Sequence, residues 1–349
     1  MSIEITRPGE VALQEIAEPA APPGWARVGV RAAAVCMTDC EVLRGTIAAE
    51  YPVTPGHEWS GVVEAVGAGA DQTWVGRRVT GDNEITCRAC RYCRRGEWRR
   101  CPQYRQIGFA APGAWAEKLL VPVPNLHQLP DSVSFEQGAL LEPLGVGLAV
   151  ARMADVHLAS TAVILGTGPI GLNCLAALVA SGARRVLCLD TRPARLRLAR
   201  EWGAFRTTSD AAEMEALARE LHPHGTDVVI DATGHPDMLR LGMRLARFGG
   251  VLVLAGYFGG CETAIRPDLV HERNVRVLGA GNNSGFTEAA VAAAGDGILK
   301  TEGMITHRFP LEDYRTALSP ELLASPDFIK AVFVFGPASG AGEGRVPCP

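Results

Sequence analysis

The sequence predicts a two-domain α/β protein in which a doubly wound parallel sheet adjoins a β-rich domain. Three observations carry this. Apolar runs from residue 161 onward alternate with helical stretches, residues 1 to about 145 break into short Val-containing runs between Gly and Pro, and a Gly-rich turn joins the first of the later apolar runs to its helix. A length of 349 residues leaves room for two cores.

The elements follow in order. Ala26-Arg27-Val28-Gly29-Val30 and Gly61-Val62-Val63-Glu64-Ala65-Val66 read as short strands bounded by turn residues, the pattern of a partly barrel-like β domain. The rhythm changes near residue 146. Segment 161–165 reads as a buried strand, 169–181 as a helix, 185–190 as a second strand and 193–202 as a second helix. A strand at 227–231, a helix at 236–247 and strands at 251–255 and 275–280 complete the alternation. Crossovers on both faces bury such strands, which explains their unbroken apolar character. From about 285 the chain is expected to return to the first domain, ending in a strand at 331–335, with 338–344 as a flexible tail. The expected division is 1–145 with 285–349, and 146–284.

Composition narrows the function. Hydrophobic residues at 47% and charged residues at 21% are ordinary for a soluble globular protein, and a net charge of −4 gives no reason to expect nucleic acid or a membrane as partner. No stretch approaches the roughly 20 apolar residues of a membrane span. Met1-Ser-Ile-Glu-Ile has neither a basic nor an apolar leader region, so a cytoplasmic location is expected. Ten cysteines then fit thiolates held by metal better than a disulfide scaffold.

Gly166-Thr-Gly168-Pro169-Ile170-Gly171 follows a predicted strand and opens a predicted helix. Gly166 permits the tight turn, Gly168 lets the backbone approach a pyrophosphate, Gly171 allows close helix packing, and the helix N-terminus offers free N–H groups to phosphate. Asp190, ending the next strand, stands where an acid binds ribose hydroxyls and repels a 2′-phosphate, so NAD is favoured over NADP; Arg192 and Arg195 nearby weaken that preference without reversing it.

Two further clusters suggest metal. Cys87, Cys90, Cys93 and Cys101 are close enough in sequence to close a tetrahedral all-sulfur site around zinc unaided. Cys36, His57, Glu58 and Glu142 would supply mixed S, N and O ligands with an open position, which suits a catalytic zinc. Taken singly, each has an ordinary explanation: a packed thiol, a satisfied buried histidine, a helix cap. The arginines around the four cysteines (Arg88, Arg91, Arg94, Arg95, Arg99, Arg100) read as a solvated run that offsets the thiolates, not as a nucleic-acid surface.

Cys36-Met37-Thr38-Asp39, Gly56-His57-Glu58, the four spaced cysteines, Glu142-Pro143 and the glycine loop together resemble the zinc-containing medium-chain alcohol dehydrogenases over nearly the whole chain. The resemblance implies a Rossmann sheet plus a GroES-like catalytic domain, two zincs per chain and a homodimer or homotetramer. It implies a structural zinc on the four cysteines and a catalytic zinc on Cys36 and His57. Asp39 would orient the histidine and so fix its tautomer. Glu142, within Glu-Pro-Leu, resembles the polyol branch that includes sorbitol and threonine dehydrogenases, where Glu58 and Glu142 can exchange places at the metal. Thr38 matches the hydroxyl of the family's proton relay. Glu41 stands where a histidine commonly ends it; proton transfer, substrate contact and a plain helix-surface charge all remain open for this residue.

The expected activity is hydride transfer between a secondary alcohol of a polyol, sugar or cyclitol and NAD, with zinc polarising the alcohol and Thr38 taking its proton. An amino sugar or aminocyclitol of specialised (antibiotic) metabolism is the alternative substrate, given the acids Glu41, Glu58 and Glu142. A catalytically silent nucleotide-binding relative is the alternative of another class, opposed by the retained ligands. Trp59, Phe109 and Trp115 are candidates for pocket walls or for core.

Overall fold

The structure, a computed structural model, describes residues 1–281 and 285–336. The expected tail at 338–344 lies outside them. Six parallel strands form one sheet, in the spatial order Arg206–Thr208, Arg185–Leu189, Thr161–Leu165, Thr226–Asp231, Ala246–Leu254 and Arg276–Gly279. Chain order reverses between Thr161–Leu165 and Thr226–Asp231, and in such sheets ligands bind beyond the carboxyl ends of the strands at that reversal.

The second sheet runs Ile305–Phe309, Lys330–Val334, Trp25–Ala34, Glu58–Val66, Arg78–Gly81 and Leu126–Gln128, with Lys118–Pro122 also pairing with Trp25–Ala34. Its ladders are antiparallel except the one between Ile305–Phe309 and Lys330–Val334. The chain therefore comes back to its first sheet after completing the parallel one. Helix Leu141–Met153 is buried along most of its length and packs on helix Pro169–Ala180. One apolar core runs through it, joining Ala32, Ala34 and Val332 of one sheet to Ala162, Ile164 and Val251 of the other.

Two local readings change. Helix Pro236–Leu245 stops two residues earlier than expected, because Ala246 already pairs with Thr226 and a bulge before Val251 absorbs the intervening residues. Trp59 and Trp115 are each 1% exposed within the core of the β-rich lobe and are not pocket walls. Trp59 donates its indole N–H to Asn83 Oδ1 at 3.2 Å and Trp115 to the Ala34 carbonyl at 3.3 Å, so neither nitrogen is stranded.

Ile164, fully buried in a strand with neighbours on both sides, tests the parallel core. Ile164→Ala should cost about 2–5 kcal/mol, seen as a lower denaturant midpoint with the slope of the transition unchanged.

Candidate metal and nucleotide sites

The hairpin Glu84–Ile85/Arg105–Gln106 projects the four-cysteine lobe. Cys87, Cys90, Cys93 and Cys101 bring their sulfurs within 4.8 Å of one another, with separations of 3.5 Å (Cys90–Cys93), 3.6 Å (Cys101–Cys87) and 3.9 Å (Cys87–Cys93). A tetrahedron with zinc–sulfur bonds of about 2.3 Å has edges of about 3.8 Å, so the donor set fits zinc. Backbone N–H groups of Cys90 and Cys93 donate to Cys87 Sγ and Cys90 Sγ, and those of Cys87 and Gln103 to Cys101 Sγ. Such donors favour thiolate: the N–H groups of Ala89 and Cys90 pull the Cys87 thiol down to about 6, while burial pushes Cys93 up to about 11. Arg88 and Arg100 have partners within the protein: Arg88 donates to the Pro124 carbonyl and Asn125 Oδ1, and Arg100 pairs with Glu97 at 2.9 Å.

The mixed site assembles at the ends of two segments. Cys36 is the N-cap of helix Met37–Arg44, and Glu58 opens strand Glu58–Val66. Ligand atoms of Cys36, His57 and Glu58 lie within 4.8 Å of one another. Asp39, 0% exposed, draws the segments together: Oδ2 accepts from Cys36 N at 3.1 Å, and Oδ1 accepts from Gly56 N at 3.1 Å and lies 3.0 Å from His57 Nδ1. With Nδ1 on Asp39, the other ring nitrogen is left for a metal. Burial opposes charge on His57, but Asp39 and Cys36 outweigh it and hold its pKa well above the ordinary value. The Phe109 ring packs at 5.2 Å from the His57 ring, making it the one expected aromatic that borders the ligands.

Sequence reading missed Lys330. Its ammonium, 3% exposed, lies 2.7 and 2.6 Å from the two oxygens of Glu58, itself 1% exposed. Burial disfavours its charge, yet Glu58 and Cys36 raise its pKa overall. A lysine opening the apolar run Lys330–Val334 was the available signal, since lysine is almost never fully buried unless paired.

Two expected site residues stand differently, and a third stands as expected. Glu142, in the first turn of Leu141–Met153, is outside the close ligand group; burial pushes its carboxyl up to about 8, opposed by His57 and reinforced by Glu58 and Glu84. Several buried carboxyls repel one another, and Glu58 holds the lysine. Glu41 does not converge on the site: its carboxylate pairs with Arg44 at 2.5 Å and accepts from the Thr46 hydroxyl on the same helix end. Thr38 does reach the ligands, with Oγ1 3.3 Å from Cys36 Sγ.

The glycine turn lies at the sheet reversal. Gly166 has φ +89°, and a Cβ on Gly171 would fall 1.8 Å from the Gly166 carbonyl oxygen, so the turn closes only with glycine at both positions. Pro169 opens helix Pro169–Ala180, Ile170 follows in its first turn, and Gly168 is the N-cap. Asp190 Oδ2 accepts from Thr167 N at 2.8 Å, tying the turn to the next strand, and Arg195 Nη1 lies 3.7 Å away. Arg192 turns from the nucleotide side altogether, donating to the carbonyls of Leu323, Ser325 and Phe328.

Comparison with known proteins agrees with this geometry. Residues 22–131 match the alcohol dehydrogenase GroES-like domain and residues 169–294 the zinc-binding dehydrogenase domain. The chain is 32% identical to an erythritol/L-threitol dehydrogenase of Mycolicibacterium smegmatis, over 91% of this chain and 92% of that one. It belongs to the zinc-containing medium-chain alcohol dehydrogenases. This dehydrogenase superposes on a zinc-binding dehydrogenase of Sinorhizobium meliloti bound to NADP with a TM-score of 0.90 at 30% identity, covering 95% of this chain and 98% of that one. An alcohol dehydrogenase of Escherichia coli complexed with NADH gives 0.89 at 27% identity, covering 96% and 98%. The chain is thus a zinc-dependent alcohol oxidoreductase. No described helix is long and apolar enough to cross a membrane.

Two outcomes follow. Lys330→Met leaves the Glu58 carboxylate buried without its cation and should cost about 3–5 kcal/mol in equilibrium unfolding; adding Glu58→Gln should recover much of that loss. Cys101→Ser should remove one zinc per chain by elemental analysis and lower the melting temperature, while Cys36→Ser removes a different zinc.

Proposed function

We propose that this dehydrogenase oxidises a secondary alcohol of a polyol, sugar or cyclitol with NAD, the alcohol held at Cys36, His57 and Glu58 and the cofactor at the glycine turn. The observation that carries this is the triad of ligand atoms within 4.8 Å, held by Asp39 on one side and Lys330 on the other. A zinc there supplies Lewis-acid polarisation of the substrate oxygen, and the nicotinamide supplies the hydride acceptor.

The chain's own residues do the rest. Cys36 and His57 hold the metal, and Asp39 keeps the imidazole in the tautomer that binds it. Glu58 and Glu142 would form the acidic side of the same site, where either could help hold the metal. Thr38 would take the substrate's hydroxyl proton as its own hydroxyl proton passes on toward solvent. The N–H groups that open helix Pro169–Ala180 receive the pyrophosphate, and Asp190 the adenosine ribose with Arg195 beside it. A second zinc on Cys87, Cys90, Cys93 and Cys101 is closed to substrate and serves the lobe's structure.

The relatives support a hydroxyl-rich substrate, since one is named for erythritol and L-threitol and another, of Bacillus subtilis, for sorbitol. They divide on the cofactor, one holding NADP and another NADH. The preference for NAD rests on Asp190 and on Arg192 being engaged with three carbonyls, unavailable to a 2′-phosphate.

A screen of polyols, cyclitols and amino sugars, each with NAD and NADP and followed by reduced-cofactor absorbance, tests the reading. NAD-linked turnover of a polyol or cyclitol with about two zincs per chain is expected, and Asp190→Ala should raise KM for NAD about tenfold or more. Zinc-loaded protein that turns over no polyol, cyclitol or sugar with either cofactor would sink the substrate assignment.

A further inference from the structure

The side-chain contacts of Arg192, which withhold it from a 2′-phosphate, also join it to a second part of the chain. It follows Asp190 by two residues and is the N-cap of helix Pro193–Glu201, with its backbone N–H on Asp190 Oδ1 at 2.9 Å. Its guanidinium then leaves the parallel-sheet lobe. Nη2 donates to the Leu323 carbonyl at 3.0 Å, and Nη1 donates to the carbonyls of Ser325 and Phe328, both at 3.2 Å. Arg195 adds a longer contact, Nε to the Phe328 carbonyl at 3.4 Å.

These acceptors belong to one short segment, from the last turn of helix Pro320–Ala324 to the residues before strand Lys330–Val334. Carbonyls at the end of a helix lack intrahelical partners, and a guanidinium with donors in a fixed planar fork can serve several at once. The strand that follows pairs with Trp25–Ala34 of the other lobe and begins with Lys330, whose ammonium holds Glu58 beside Cys36 and His57. Polar contacts, joined by the Arg192 side chain and by the two peptide links from Phe328 to Lys330, thus connect the acid beside the glycine turn to the wall of the metal site.

We propose that Arg192 is a positioning residue, a strut by which cofactor bound at Asp190 sets the register of the segment carrying Lys330 and hence of Glu58. The inference rests on the proposed cofactor site. Its physical reason is that hydride transfer needs two groups on different lobes in contact, and a misplacement of about 1 Å can cost 10²-fold in rate. Coupling of this kind must show as a response at one end to a ligand at the other.

The test uses zinc-loaded full-length protein, with NADH as probe and amide hydrogen exchange across 323–334 as readout. The quantity read is the ratio of exchange rates without and with saturating NADH, so general loosening of the loop cancels. In the parent this ratio should be about fivefold or more. In Arg192→Met it should fall to within twofold of unity, with NADH bound about fivefold or more weakly, and Arg192→Lys should lie between. Arg244→Met, which breaks an exposed ion pair within the parallel-sheet lobe, should keep the parent ratio. An Arg192→Met ratio equal to the parent's, or no NADH response across 323–334 in a parent that binds NADH, overturns the strut. A parent that fails to bind NADH overturns the cofactor site instead.

Discussion

The carboxylate of Asp39 is buried between two chain segments that the pairing of Ala34 with Glu58 already brings side by side, and it fixes how their ends face one another. One oxygen accepts from the N-cap residue of helix Met37–Arg44, and the other meets Gly56 N and His57 Nδ1. Buried charge without partners is costly, so bringing those donors together stabilises the lobe. The same arrangement aims the free imidazole nitrogen toward Cys36. Folding and ligand geometry are in this respect one constraint.

Charge balance extends outward from there. Asp39, Glu58 and Glu142 are all buried, together with His57 and Lys330. Lys330 offsets Glu58 directly, while burial pushes Glu142 up to about 8 against the pull of His57. A divalent ion among these groups would reverse that push and favour ionised carboxyls.

What could be read from the sequence was whatever chemistry is local. The four cysteines declare themselves because Cys87 to Cys101 close on one another within a single lobe, and the glycine turn because strand, turn and helix are contiguous. Five of the parallel strands were legible for the same reason, through their contiguous apolar stretches; the edge strand Arg206–Thr208 was not, because Arg-Thr-Thr offers no apolar run. Long-range pairings were not legible. Lys330 finds Glu58, and Arg192 finds the carbonyls of 323–328, only through the return of the chain to its first sheet. For Glu41 the sequence left a relay role, substrate contact and a plain surface charge open, and Arg44 and Thr46, a turn away, take its carboxylate. For Trp59 and Trp115 it left pocket wall and core open, because large side chains near a ligand motif carry no mark of which face they line.

The two candidate metal sites differ in how far along the chain their parts lie. The sulfur cluster draws only on the stretch from Cys87 to Cys101 and its supporting hairpin. The mixed group has Cys36, His57 and Glu58 close in sequence, but the ammonium that balances Glu58 lies 272 residues further on. Damage to the returning strand would therefore strip the mixed group of its balancing charge while leaving the donors of the sulfur cluster in place.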